Sequence, residues 1–222
     1  MRYLFFDSEH ATSVANNIKI CEFGYVLTDE NFKVLQRKNF IINPKILRKE
    51  WDWYAVRKIL TRKPADYVKN PSFPHYYPAI KKVINNADYI IGHNLARDVQ
   101  ALNDDCKRYK LPSLDYEFYD IQEFYKSYHN ISDKSSLENL LKAFNIEGDN
   151  NLHDAEADAY NTMLVMEAML KNWNLTFDEI IQTFKKTKDK TKNYLVYSIE
   201  KANIKKAKKE KIKREKAIEK IG

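Results

Sequence analysis

Asp7 and Glu9 stand one residue apart where the apolar run MRYLFF gives way to DSEH. Strand side chains alternate between faces, so both carboxylates project to one side, with Cα atoms roughly 6–7 Å apart. A pair so placed can converge on hard divalent cations, which prefer oxygen ligands. The plain alternative is a strand leaving the core into water, and the pair alone does not decide between the two.

Two later clusters carry related groups. GHNLARDV, residues 92–99, follows a strand-like run and opens a helix. Asn94 and Asp98 are four apart and share a helical face. Asn94 also has the type of an N-cap, and Asp98 can equally be a solvated helix residue. In NLHDAEADAYNTMLVM, residues 151–166, His153 precedes Asp158 by five positions. Five helical steps turn by about 500°, so the two cannot share a face inside a regular helix. They converge only if His153 sits at or before the first turn and swings inward, with Asp154 as the cap; otherwise His153 is a surface loop residue.

The elements that must position these groups follow from periodicity. Residues 3–7, 18–28 and 33–42 read as three strands with a turn at DEN, the order of an antiparallel meander. Prolines break residues 43–78 into loops and short helices. A helix over 75–86, a strand over 87–92, a helix over 94–109 and a strand over 116–121 follow, then helices at about 135–144, 153–172 and 176–187. Strands interleaved with helices make this an α/β domain with a mixed sheet.

With 44% hydrophobic and 31% charged residues the chain is long enough for one sizeable core. No apolar run approaches the ~20 residues of a membrane span, and no secretory signal is visible. Cys21 and Cys106, far apart and outside any CxxC pattern, read as buried thiols of a reducing, cytoplasmic setting. Charge is unevenly spread. Residues 185–222 hold 15 Lys/Arg and 5 Asp/Glu, whereas residues 1–184 hold 23 and 26. The basic tail, with an early stripe of Leu195, Ile199 and Ala202, is either a solvated helix or an arm for nucleic acid or a protein partner. The segment 48–78 interleaves Trp51, Trp53, Tyr54 and Tyr67 with Arg57, Lys58, Arg62 and Lys63. It suits either base stacking with phosphate contacts or a loop packed by its own aromatics.

Taken in order, FFDSE, IGHNLARD and HDAEADA resemble the motifs of the DEDDh 3′–5′ exonucleases, the superfamily of proofreading domains and oligoribonucleases. ICEFGYVL, PSFPHYYPAIKKVI and SLENLLKAFNI are similar to that family's spacers, and the resemblance covers roughly residues 1–172. It implies a ribonuclease-H-like domain over residues 1–175, with a mixed five-stranded sheet flanked by helices and a basic helical extension over 176–222. It implies two Mg²⁺ or Mn²⁺ ions on Asp7, Glu9, Asp98 and Asp158, with His153 as general base. A tyrosine-type relative would carry Tyr at position 154, where this chain has Asp.

The function so implied is metal-dependent 3′–5′ hydrolysis of single-stranded DNA or RNA. The alternatives are a catalytically silent nucleic-acid-binding module, or a subunit docking into a polymerase or processing complex through its C-terminal helix. Relatives commonly place Thr or Ser after the Glu, where this chain has His10, Ala11 and Thr12. His10 therefore either meets the 3′ end or is a loop residue facing solvent, the second being slightly favoured. Asn94 is the other candidate substrate contact.

Overall fold

Tyr3, Leu4, Phe5 and Phe6 are all buried, the pattern of a central strand covered on both faces. In the computed structural model, which describes residues 1–12, 18–58, 60–112, 114, 116–133, 135–151, 153–184 and 204–213, this strand is β1 (Arg2–Thr12). It pairs antiparallel with β2 (Ile18–Asp29), which pairs antiparallel with β3 (Val34–Ile41). The short helices α1 (Trp53–Lys58) and α2 (Pro64–Val68) and the longer α3 (Phe73–Asn85) lead to β4 (Tyr89–Gly92), parallel to β1. Helix α4 (Ala96–Arg108) leads on to β5 (Tyr119–Asp120), parallel to β4. The sheet order β3-β2-β1-β4-β5 is the expected mixed, five-stranded arrangement.

Alternation along β1 divides the core. Leu4 and Phe6 join Phe23, Phe73, Ile80 and Leu102 under α3 and α4. Tyr3 and Phe5 join a second core beneath α5 (Ile121–His129), α6 (Leu137–Ala143), α7 (Ala155–Trp173) and α8 (Phe177–Thr183). Phe177 of α8 lies with its ring centroid 5.0 Å from that of Tyr3 and 4.7 Å from that of Tyr89, so α8 is built into this core.

Several boundaries differ from the sequence reading. β1 runs on to Thr12, because β2 keeps pairing with it as far as Ile18, so Asp7 and Glu9 lie within the strand and not at its end. The strand expected over 116–121 pairs only at Tyr119 and Asp120. Asp120 then caps α5, a helix the periodicity did not reveal, by accepting from the Gln122 N–H. Helix α4 starts at Ala96 because Asn94 takes a left-handed conformation (φ 53°).

Both cysteines are free and buried. Among the described residues no helix is long and apolar enough to cross a membrane. Residues 204–213 are helical and exposed, and the tail stripe of Leu195, Ile199 and Ala202 lies outside the described residues.

Candidate active site

The β1–β2 register shifts between Glu9 and His10, a bulge that re-aims the side chains beyond it. Ser8, on the face opposite Asp7 and Glu9, donates to Asp98 Oδ1 through its backbone N–H (3.0 Å) and its hydroxyl (2.6 Å). The Ser8 proton is thereby committed, so His10 Nε2, 2.8 Å away, donates to Ser8 Oγ. His10 Nε2 also lies 3.7 Å from Asp98 Oδ1, and the imidazole is only 9% exposed. This corrects the reading of His10 as a solvent-facing loop residue: the strand continues through it and turns it onto Ser8. Burial, helped by the Arg97 charge, lowers its pKa to about 4, so the ring is neutral near pH 7.

Asp98 reaches the site from the first turn of α4. The turn before it is pinned by Asp120, whose carboxylate accepts from the Asn94 and Leu95 N–H groups at 3.0 and 3.1 Å. Asn94 is therefore not the cap of α4, the N-cap position being held by Leu95. His93 donates from Nε2 to the Ser135 carbonyl at 2.7 Å, tying the same turn to the approach to α6.

From the other side comes the start of α7. Asp154 caps it as expected, accepting from the Glu156 and Ala157 N–H groups. His153, just outside the helix, has φ 65°, and its N–H donates to Asp158 Oδ2 at 3.2 Å. This is the inward swing that the five-residue spacing required. Ligand atoms of Glu9, His153 and Asp158 lie within 4.8 Å of one another.

Asp7, Ser8, Glu9, His10, His93, Asn94, Arg97, Asp98, His153 and Asp158 together line one cleft of about 310 Å³. Every acidic candidate in it holds its proton more tightly than usual. Burial is the first cause throughout. It raises Asp7 well above the carboxylate range, with Asp98 as the next contributor. Glu9 rises to about 9, with Asp158 adding most after burial. Asp98 rises to about 7 despite the Ser8 hydrogen bonds, and Asp158 to about 6 despite the His153 N–H. Asp158 Oδ1 is buried and has no hydrogen-bond partner among the described residues. A lone-pair donor left unpartnered among like charges fits a cation site.

A family model described as exonuclease, of the RNase T type, matches residues 4–166. The chain belongs to this exonuclease family. Solved structures share the fold at low identity. The nuclease domain of 3′hExo, a DEDDh family member bound to rAMP, has TM-score 0.65 at 16% identity, covering 77% of this chain and 92% of that one. E. coli exonuclease I in complex with a dA16 oligonucleotide has TM-score 0.67 at 19% identity, covering 82% of this chain and 42% of that one. Exonuclease X in complex with 5′-overhanging duplex DNA has TM-score 0.58 at 15% identity, covering 81% and 96%. The 3′-exonuclease described with the histone mRNA stem-loop, at TM-score 0.66 and 14% identity, is spanned over 64% of its chain. No curated protein matches the sequence.

In this exonuclease-family chain all seven residues singled out from the sequence line the one cleft. Ser8, His93 and Arg97 join them there, and Asp120 supports the turn from outside. Ser8 gave no signal because a serine between two acids is ordinary, and only the faces of β1 show that it meets α4. The aromatic and basic segment divides. Trp51 is buried and stacked 6.2 Å from Tyr67, which is itself buried. Arg62 is bound to Glu22 and Asp154. Trp53 and Tyr54 stay 45% and 69% exposed, free to meet a ligand.

Proposed function

We propose that this chain is a metal-dependent 3′–5′ exonuclease of the DEDDh type, hydrolysing phosphodiester bonds at the 3′ ends of single-stranded DNA or RNA. The observation that carries the reading is the convergence of Asp7, Glu9, Asp98, Asp158 and His153 on one cleft, with a buried Asp158 oxygen left unpartnered among the described residues. Four carboxylates match the charge of two divalent ions, and Mg²⁺ or Mn²⁺ suits their oxygen donors. Such ions, when bound, lower the pKa of water and stabilise charge on the leaving oxygen.

The chain's own groups have distinct tasks. The β1 carboxylates supply one wall of the site, and Asp98 and Asp158 supply the others. Ser8 orients Asp98 through two hydrogen bonds, and neutral His10 holds the Ser8 hydroxyl in that orientation. His153 stands at the exposed mouth and accepts the proton of the attacking water. Although Glu9, His153 and Asp158 are close enough to share an ion, we assign the imidazole to the proton. It is exposed on a turn, and the carboxylates already balance the metal charge. Arg97, lining the same cleft, suits the phosphate being cleaved. The family assignment supports nucleic acid as the substrate class.

The test uses 3′- and 5′-labelled single-stranded DNA and RNA oligomers with Mg²⁺, Mn²⁺ or EDTA. The expected result is metal-dependent shortening from the 3′ end. Intact oligomers under all conditions would overturn the proposal, and the same gels read out DNA against RNA preference.

A further inference from the structure

Glu22 of β2 is fully buried, directly across from Glu9 in the β1–β2 register. Its carboxylate accepts from Arg62 Nη1 (2.5 Å), Tyr67 OH (2.7 Å) and Asn39 Nδ2 (2.9 Å). The second Arg62 nitrogen, Nη2, donates to Asp154 Oδ2 at 2.7 Å, and Asn39 Nδ2 also reaches Asp154 Oδ1 at 3.1 Å. Asp154 is the residue after His153, and it caps the helix that carries Asp158. One guanidinium thus joins a buried carboxylate of β2, on the face that carries Glu9, to the cap beside the exposed imidazole. A planar fork with two donor nitrogens can span both carboxylates, which a single ammonium cannot.

We propose that Arg62 is a positioning residue for His153: by tying Asp154 to Glu22 it fixes the left-handed turn that holds the imidazole beside Glu9 and Asp158. The inference rests on the proposed role of His153 as general base. It also gives Arg62 a task different from phosphate contact, the one its place in a basic, aromatic segment suggests. Lys63, next in sequence, lines a separate apolar groove with Trp51, Trp53 and Val68.

The test is a double-mutant cycle between Arg62 and His153 in the full chain. Arg62→Lys keeps the charge but not the fork. The expected outcome is a kcat about tenfold lower with KM within about twofold. In a His153→Ala background the same change should alter single-turnover rate by less than about twofold, because its effect passes through the imidazole. Amide exchange of Glu156 and Ala157, whose N–H groups the Asp154 cap accepts, should quicken by about tenfold in Arg62→Lys. Arg62→Met combined with Glu22→Gln leaves no unpaired buried charge, and should show the same loss of kcat if the lysine variant folds poorly.

Equal losses in both backgrounds, or a change in KM alone, would overturn the proposal and place Arg62 on the substrate. A fully active His153→Ala would overturn the general-base reading instead. The clamp would then stand on exchange alone, with quicker exchange supporting it and unchanged exchange refuting it.

Discussion

Gly24 of β2 lies so close to Ala155 at the start of α7 that a Cβ built on it would sit 2.1 Å from the Ala155 carbonyl carbon. The Glu156 backbone nitrogen is equally near. Gly24 is also the register partner of Asp7. The helix that brings His153 and Asp158 to the site is therefore seated on the sheet at the point where the first carboxylate leaves it.

Gly24→Ala must push the first turn of α7 outward, since the obstructing atoms are backbone and cannot rotate away. Overpacking of this kind costs ~1–3 kcal/mol. Activity should fall further than stability, by on the order of 100-fold, because displacing Asp158 and His153 by about 1 Å spoils the alignment. Urea unfolding set against exonuclease rate checks the ratio, and a variant with wild-type turnover would refute the seating argument.

His153→Ala removes a side chain from an exposed turn. Stability should change by less than ~0.5 kcal/mol, while turnover falls by ~10²–10⁴, the range for a lost general base. Metal titration by calorimetry should be nearly unchanged. A large loss of metal affinity would instead make His153 a ligand with Glu9 and Asp158.

How far the sequence could be read follows from which relations are local. The spacing of His153 and Asp158 showed only that the two could meet if His153 swung inward before the first turn, and left a surface loop residue as the alternative, whereas Asp154 was legible as a cap from its type and place. The meander was legible from three apolar runs with a short turn. The task of Ser8 was not, because it depends on which helix covers the second face of β1. Nor was the Glu22–Arg62–Asp154 link, whose members are 40 and 92 residues apart. Arg62 looked like one of several cations in a basic segment, and only the fold separates it from exposed Trp53 and Tyr54. Helix α5 was missed because β5 pairs over just two residues, leaving Asp120 to act as a cap where a longer strand was expected.

Asp158→Asn tests the cation site without relying on activity. The wild-type carboxylate is half-buried, has one buried oxygen without a hydrogen-bond partner among the described residues, and lies among like charges. Removing its charge should raise the melting temperature of the chelated protein by about 2–4 °C, equivalent to ~1 kcal/mol. The same variant should lose most of the stabilisation that Mg²⁺ or Mn²⁺ gives the wild type. A variant stabilised by metal as strongly as the wild type would remove Asp158 from the ligand set.

The cleft also sets how stability depends on pH. Glu9, Asp98 and Asp158 have folded-state pKa values raised to about 9, 7 and 6 from 4.5, 3.8 and 3.8. A raised value means that the folded protein binds the proton more tightly than the unfolded chain. The stability these groups contribute is thus complete below about pH 4 and is lost as pH rises, through about 6 for Asp158, 7 for Asp98 and 9 for Glu9. Carboxylates held low, such as Asp149 beside Asn151 and Arg37, lose their contribution only in stronger acid, outside this window, whereas His10, lowered to about 4 from 6.5, partly offsets the decline below about pH 6.5. In EDTA the protein should therefore melt on the order of 5 °C lower at pH 8.5 than at pH 5.5. Divalent metal favours the charged carboxylates and should flatten or reverse that slope. Asp158→Asn should remove the part of the decline that ends near pH 6. Melting curves across pH 5–9, with chelator and with Mg²⁺, provide the check, and a chelated protein that gained stability over this range would show that the clustered carboxylates are not protonated as their burial requires.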